Sequence, residues 1–319
     1  MRALLGIMTT LGLVSPAPDS TWHEAAPLPQ ARAGFAAGIL GGQMIVAGGT
    51  YWSGADKIFD RRVDSYSPHC DCWSPRPAMP VAVSNTASVV VDDTLFVLGG
   101  GAAAGASREV YSFDGSIWRH RDDMRLPEPR WGGLALMADR QIYVLVGAKR
   151  AADTMSGLAT GWTWDVDRPK TGWRPMPVFP GAPRISAGAT LFQGKLLVIG
   201  GLQADQAELR NLEDIWEYNP RTGHWRRLDD LPEGRRAMAV ASSSDGVLLA
   251  GGYTDDFRTD TAMVFGVRSG SAAPMPVAIA DAPILTMGGR WYITGGETAP
   301  HRRNGRTFFR EISARDPGR

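Results

Sequence analysis

The stretch Gln43-Met44-Ile45-Val46-Ala47-Gly48-Gly49, a short run of strand-forming residues that ends in a glycine pair, decides the fold because it recurs along the chain. Further copies occupy residues 95–100, 196–201, 247–252 and 291–296, and a degraded copy occupies residues 142–147. The first position of the pair falls at 48, 99, 146, 200, 251 and 295, so the steps are 51, 47, 54, 51 and 44 residues. A period near 50 is expected of a propeller with one sheet per repeat, and six copies predict six blades.

Composition supports a single all-β domain. The 319 residues include 38 glycines and 22 prolines, 44% are hydrophobic, and no long segment has helical periodicity. Such a composition suits short strands joined by tight turns. We therefore predict a six-bladed all-β propeller over residues 18–312, followed by a polar tail at 313–319.

The charge balance and the N-terminus bear on partners and location. Lys and Arg together number 34 and Asp and Glu 33, so no global field would attract nucleic acid or a membrane. Residues 1–17 combine Arg2, an apolar run and a small-residue site at 15–17, which predicts a cleaved signal peptide and a periplasmic or secreted, soluble protein. The alternative is an apolar N-terminus that is not cleaved.

No metal or cofactor is expected. Cys70 and Cys72 are one residue apart, too close for an unstrained disulfide and too few for a structural zinc site even if His69 adds a third ligand. The five histidines lie in different repeats without zinc-motif spacing, and the sequence has no phosphate-binding glycine loop.

Aromatic residues follow the glycine pairs at a regular spacing. In three repeats a tyrosine precedes a tryptophan by seven residues, at Tyr66 and Trp73, Tyr111 and Trp118, and Tyr218 and Trp225. This order of glycine pair, Tyr and Trp resembles kelch repeats from about Trp22 to Ile312. The resemblance implies that the tryptophans fill the space between blades, and that residues 21–25 supply a fourth strand which completes the last blade and closes the ring.

In four of the six repeats, an arginine lies sixteen residues before the first position of the glycine pair, at the expected start of the innermost strand. The six positions hold Arg32, Val83, Arg130, Arg184, Arg235 and Ile279. One interpretation is structural, in which each arginine pairs with an acidic residue or a carbonyl group. The other is a ring of guanidinium groups that receives a carboxylate or phosphate, which arginine binds bidentately.

The loops after the glycine pairs lie on the same face as these arginines and supply further candidates for binding. Trp52 and Tyr253 are aromatic residues of the kind that stack on sugar rings, and Arg258 is a candidate anion ligand. Loops on a rigid scaffold are where binding residues concentrate. We therefore predict a binding pit at this face.

The last loop, Gly295-Gly296-Glu297-Thr298-Ala299-Pro300-His301-Arg302-Arg303, resembles the loop with the proposed catalytic Glu and Arg of bacterial N-acetylneuraminate epimerases. Those enzymes are periplasmic six-bladed kelch propellers that catalyse mutarotation of sialic acid. The resemblance implies that Glu297 is a base and that Arg303, with Arg258, anchors the substrate carboxylate. In those enzymes the pair belongs to another blade, so a circular permutation is also implied. The alternative for Glu297 is an ordinary ion pair with Arg302 or Arg303.

Two functions remain open at this point. One is an exported carbohydrate epimerase that binds an acidic sugar in the pit. The other is a non-catalytic kelch module that binds a protein or glycan partner through the same loops. The fold hosts both kinds of protein, so the fold alone does not separate them.

Overall fold

A computed structural model describes residues 21–153, 155–205, 208–242, 246–255, 263–265 and 274–312. The predicted signal peptide (1–17), the polar tail (313–319) and Arg258 lie outside these residues. Among the described residues, no helix is long and apolar enough to cross a membrane. The helices with described bounds are two short 3-10 turns, Asp122–Met124 and Pro169–Thr171.

Six antiparallel sheets of three to five strands follow one another along the chain. We number them sheet 1 to sheet 6. Sheets 1 to 3 contain Ala36–Leu40, Gln43–Ala47, Val63–Ser67 and Cys72–Arg76; Ala87–Val91, Thr94–Leu98, Val110–Phe113 and Trp118–His120; and Leu134–Ala138, Gln141–Leu145, Gly161–Asp165 and Arg174–Pro175. Sheets 4 to 6 contain Arg184–Ile185, Gly188–Phe192, Lys195–Gln203, Asn211–Asn219 and His224–Arg227; Ala239–Ser242, Val247–Ala250 and Met263–Phe265; and Ile284–Met287, Arg290–Thr294, Thr307–Glu311 and His23–Ala25.

Five of these sheets have the four or more strands of a complete blade, whereas six complete blades were predicted. Sheet 5 has three strands among the described residues, and 15 of the 23 residues from 251 to 273 lie outside them. Short hairpins occur in addition, at Thr50–Ser53 with Asp56–Phe59, Gly101–Ala102 with Gly105–Ala106, and Glu297–Ala299 with Arg302–Arg303. The all-β propeller class is confirmed.

Sheet 6 contains strands from both ends of the described chain. His23–Ala25 pairs with Thr307–Glu311, with His23 opposite Phe309 and Ala25 opposite Thr307. One inner strand of each sheet contacts that of the next sheet in order, and the inner strand of sheet 6 contacts that of sheet 1. These inner strands are Ala36–Leu40, Ala87–Val91, Leu134–Ala138, Gly188–Phe192, Ala239–Ser242 and Ile284–Met287. The sheets are therefore arranged around a common axis.

The glycine pairs are required where the chain turns beside a neighbouring sheet. Gly251 has a φ of +65°, and a Cβ atom there would lie 1.6 Å from the carbonyl oxygen of Ile279. The degraded third copy keeps this conformation, since Val146 takes a φ of +50° in place of a first glycine. The repeated stretch thus marks a tight passage of the backbone between adjacent sheets.

A closed ring of backbone hydrogen bonds surrounds the axis. Its six members all have positive φ and precede the inner strands of successive sheets, and each N–H donates to the carbonyl of the preceding member over 2.7 to 3.5 Å. The members are Gly34, Asn85, Gly132, Ser186, Ala237 and Asp281, and Gly34 donates to Asp281 to complete the circle. We call this the inner ring.

The repeated tryptophans pack between sheets, as the kelch resemblance implies. Trp73 lies 5.3 Å from Tyr66 between ring centroids. Its indole N–H donates to the carbonyl of Ala26, and the equivalent tryptophans make the same kind of bond to the preceding connector. These bonds join Trp118 to Pro77, Trp173 to Met124 and Trp225 to Pro177. The tryptophans therefore fix the spacing of adjacent sheets.

Cys70 and Cys72 form a disulfide bond, which was not expected of two cysteines that are one residue apart. Asp71 between them adopts a φ of +47°, and the two Cα atoms lie 5.2 Å apart, a separation common among disulfides. Both thiols are consumed by this bond, so neither sulfur is a thiolate ligand for a metal.

Candidate functional site

The residue that follows each glycine pair occupies an equivalent place near the axis. In five repeats it forms an isolated antiparallel bridge with the residue that precedes the inner-ring member. These bridges are Ala33 to Thr50, Ser84 to Gly101, Trp131 to Ala148, Arg236 to Tyr253 and Ala280 to Glu297. Thr50, Tyr253 and Glu297 therefore belong to the adjacent sheets 1, 5 and 6 and face one region of the disc.

Glu297 is the centre of a hydrogen-bond network in this region. Nη1 of Arg303 donates to Glu297 Oε1, and the Tyr253 hydroxyl donates to Glu297 Oε2 over 2.9 Å. Arg303 also donates from Nε to the Thr50 carbonyl over 2.9 Å and from Nη2 to Thr50 Oγ1 over 2.8 Å. The ion pair is largely protected from water, because the Arg303 side chain is 7% exposed and that of Glu297 17%.

Glu297, Arg303 and Tyr253 line a cavity of about 390 Å³, within the size range of small-molecule sites. Its floor contains the inner-ring members Asn85, Ser186, Ala237 and Asp281. Its walls include Trp52, Lys57, Arg236, Tyr253, Glu297, Pro300, His301 and Arg303. The Trp52 ring packs against that of His301, with centroids 4.2 Å apart. Of the predicted site residues, the structure therefore brings together Glu297, Arg303, Tyr253 and Trp52.

Charged groups in the cavity influence one another. Burial raises the pKa of Asp281 to about 6, although the positive charges of Arg303 and Lys57 act in the opposite direction. Burial and the charge of Asp281 raise the pKa of Tyr253 to about 12, so its hydroxyl keeps its proton and remains a donor to Glu297. Partial burial and nearby Arg303 lower the pKa of Lys57. Three cationic side chains, Lys57, Arg236 and Arg303, thus surround two carboxyl groups.

The four predicted arginines lie elsewhere and favour the structural interpretation left open above. Arg32, Arg130, Arg184 and Arg235 are at most 4% exposed, and they do not line the cavity. Each guanidinium donates to a carbonyl at or just before the glycine turn of its own repeat, namely that of Val46, Val146, Gly200 or Gly251. Each also contacts a carboxylate, that of Asp64, Glu128, Asp214 or Glu233.

Three charged cavity residues were missed at the level of sequence, namely Lys57, Arg236 and Asp281. For Asp281 a signal exists, because it lies fourteen residues before the first glycine, the position that forms the inner ring. Asp281 is the sole charged residue among the six at that position. Arg236 is adjacent to Arg235 and was hidden by the regular arginine pattern one residue earlier.

Comparison with known proteins agrees with this architecture. Residues 31–80 and 183–232 match the Kelch motif, in sheets 1 and 4. Two repeats of this β-propeller thus match the Kelch motif. Over part of its length the chain is also similar to proteins named N-acetylneuraminate epimerase.

The N-acetylneuraminate epimerase of Yersinia enterocolitica is 29% identical over 163 residues, which is 47% of this chain and 39% of that protein. That of Haemophilus influenzae strain PittEE is 33% identical over 129 residues, or 40% of this chain and 32% of the relative. That of Yersinia pestis strain Pestoides F is 29% identical over 149 residues, or 43% and 35%. The match therefore spans less than two fifths of the length of each of these relatives. The circular permutation stays a prediction.

Proposed function

We propose that this chain is an exported, six-bladed kelch propeller that binds an acidic sugar in its cavity and catalyses the mutarotation of N-acetylneuraminate. The observation that carries the proposal is Glu297, held between Arg303 and Tyr253 at the wall of a cationic cavity. The names of the relatives give the substrate. In this proposal the three-stranded sheet 5 is the fifth blade, and the strand at His23–Ala25 closes the ring in the sixth.

The chemistry assigns a role to each wall of the cavity. Mutarotation begins when a base removes the proton of the anomeric hydroxyl, and Glu297 is the proposed base. Because Arg303 already bonds to Glu297 and Thr50, we assign the sugar carboxylate mainly to Lys57 and Arg236, with Arg258 as a further proposed contact. Trp52 and Tyr253 provide aromatic surface for the sugar ring.

Export is part of the same proposal. The Cys70–Cys72 disulfide supports a periplasmic or secreted location, because disulfides persist in oxidising compartments. The sequence signal for export at residues 1–17 is consistent with that location.

The test is NMR exchange spectroscopy on the two anomers of N-acetylneuraminate, with and without protein. We expect the wild type to accelerate interconversion and Glu297→Gln to lower the protein-dependent rate by about 10²–10⁴-fold, the usual contribution of a positioned acid or base. Glu311→Gln is the matched control, because Glu311 also pairs with an arginine, Arg290, but at the end of the sheet 6 strands that lies away from Glu297.

Each outcome of this test has a distinct meaning. If the wild type gives no acceleration, the enzyme proposal fails, and sugar binding without acceleration would favour the non-catalytic module. If Glu297→Gln keeps the full rate, Glu297 is not the base.

A further inference from the structure

Asp281 lies beside Glu297 in the folded chain. The bridge between Ala280 and Glu297 consists of two hydrogen bonds, from the N–H of Ala280 over 2.8 Å and from the N–H of Glu297 over 2.7 Å. Asp281 is the next residue after this bridge, and both carboxyl groups line the same cavity. The backbone therefore fixes the two acidic residues relative to each other.

The structural role of Asp281 does not need its carboxyl group. Its backbone N–H donates to Ala237 and its carbonyl accepts from Gly34, as in the rest of the inner ring. The other five members of that ring carry no charge. Across the described part of the chain, no hydrogen bond to the Asp281 carboxylate is found, although the residue is only partly exposed and burial acts on its carboxyl group. A desolvated acid without a structural partner in a cavity is a candidate functional group.

The two carboxyl groups have different surroundings. Glu297 accepts hydrogen bonds from Arg303 and Tyr253, which stabilise its ionised form. Asp281 receives no such bonds, and burial keeps its pKa at about 6 in spite of Arg303 and Lys57. Carboxyl groups whose environments separate their protonation behaviour are the usual arrangement for an acid and a base in one site.

We propose that Asp281 is a second catalytic residue, the acid that protonates the ring oxygen of the sugar while Glu297 acts as the base. This inference rests on the function proposed above. Glu297 takes the proton of the anomeric hydroxyl, and the bond between the anomeric carbon and the ring oxygen breaks. The ring oxygen keeps the electron pair of that bond and accepts the proton of Asp281, so it becomes a hydroxyl group. The open-chain ketone then closes from its other face. The hydroxyl returns its proton to Asp281, and the ketone oxygen regains a proton from Glu297, so both groups are restored.

The chemistry predicts a pH dependence that identifies Asp281. The acid must be protonated, so the wild-type rate should fall as the pH rises through about 6. The charged and titratable groups around Asp281 in the cavity are Lys57, Arg236, Tyr253, Glu297, His301 and Arg303. None of these except His301 ordinarily changes its charge near pH 6. The histidine is therefore removed separately, as His301→Gln.

The experiment measures anomer exchange by NMR between pH 4.5 and 8.5 for wild type, Asp281→Asn and His301→Gln. Sugar binding is followed in parallel by saturation-transfer NMR. We expect Asp281→Asn to lower the rate by about 100-fold or more at pH 6, to remove the decline above pH 6, and to leave binding within about threefold. Asparagine tolerates positive φ, so the inner ring should be kept. The control is Asp139→Asn, an exposed turn residue with a φ of +48°.

A second readout does not depend on turnover. The ¹³C signal of the Asp281 carboxyl group, assigned by its absence in Asp281→Asn, should titrate near pH 6. If the wild type accelerates exchange but Asp281→Asn keeps the rate and the pH profile, or if His301→Gln alone removes the decline, the role of Asp281 is refuted while the proposed function stands. If the wild type gives no acceleration, both are refuted.

Discussion

Sheets 1, 5 and 6 and sheets 2, 3 and 4 share one backbone arrangement after the glycine pairs but differ in the side chains found there. We call sheets 1, 5 and 6 the polar half and sheets 2, 3 and 4 the apolar half. On sheets 1, 5 and 6 the residues after the glycine pairs are Thr50, Tyr253 and Glu297, and these contact one another through Arg303. On sheets 2, 3 and 4 the equivalent residues are Gly101, Ala148 and Leu202, which are buried and apolar. The bridges are formed in both halves. The repeat therefore creates an equivalent backbone position in every sheet, but only sheets 1, 5 and 6 carry polar side chains at that position.

A second contrast, which does not follow the division into halves, is between arginines that stabilise the fold and arginines that line the cavity. The four arginines that lie sixteen residues before a glycine turn occur on sheets 1, 3, 4 and 5 and are bonded within their own repeats. Arg236 and Arg303 line the cavity instead. Position along the strand thus decides whether an arginine stabilises the fold or faces a ligand.

The largest expected effect is on stability and comes from the half without the site. Arg184 donates to both carboxylate oxygens of Asp214 over 2.6 and 2.8 Å, and its side chain is fully buried. Arg184→Met should lower the free energy of unfolding by about 3–5 kcal/mol, because it leaves a largely buried carboxylate without its partner. Urea unfolding measures this loss, and the activity per folded molecule should not change.

A double variant separates the lost charge pair from lost packing. Arg184→Met with Asp214→Asn removes the uncompensated charge but keeps an oxygen for the Trp216 indole N–H, which donates to Asp214 over 2.6 Å. It should recover part of the stability. A loss below about 1 kcal/mol in the single variant would mean that the buried arginines are not structural.

An intermediate effect on stability is expected from Asp281→Asn in the polar half. This substitution should raise the free energy of unfolding, whereas Arg184→Met should lower it. The pKa of Asp281 is about 6 in the folded protein against an ordinary 3.8, so the folded state binds the proton more tightly. The wild type should therefore lose stability as the pH rises from about 4 to 6, and the deficit should persist above that range. Asp281→Asn should be more stable by about 2–3 kcal/mol at pH 8 and similar to wild type below pH 4.

Denaturant unfolding at pH 4 and pH 8 measures this difference, with Asp139→Asn as the control. A stability difference of the same size at both pH values would show that Asp281 is not desolvated. A gain in stability from loss of a catalytic group is the usual trade-off between stability and activity at a site.

The smallest expected effect is on activity and comes from the hydrogen bond between Arg303 and the Thr50 hydroxyl. Thr50→Val removes the Oγ1 acceptor of Arg303 but keeps the backbone carbonyl acceptor. One hydrogen bond contributes about 1 kcal/mol, so we expect kcat/KM for mutarotation to fall about fivefold. Thr94→Val in a hairpin of sheet 2 is the matched control. An unchanged kcat/KM would mean that Glu297 and the Thr50 carbonyl are sufficient to position Arg303.

The sequence was sufficient for the fold because glycine turns leave a periodic signal. A residue with positive φ beside a neighbouring sheet is confined largely to glycine, so the pairs at 48, 99, 200, 251 and 295 remain visible. The outer strands of each repeat leave a weaker signal in the sequence, because no residue type is so strictly required there.

The site was only partly predictable. Glu297, Arg303, Tyr253 and Trp52 followed from their loops and do line the cavity. The buried arginines were mistaken for candidate ligands because spacing does not reveal that a guanidinium turns back to the carbonyl of its own repeat. Asp281 was missed because its neighbours across the axis come from other sheets, and only the inner ring reveals them.

The pairing of Arg303 with Thr50 joins residues 253 positions apart in sequence. During synthesis, which proceeds from the N-terminus, Thr50 exists long before Arg303 is made. The strand at His23–Ala25 likewise waits for its partner at Thr307–Glu311. The polar site therefore joins an early and a late part of the described chain, and it can assemble only as one of the last events of folding. A partly made chain would hold formed sheets but no competent site.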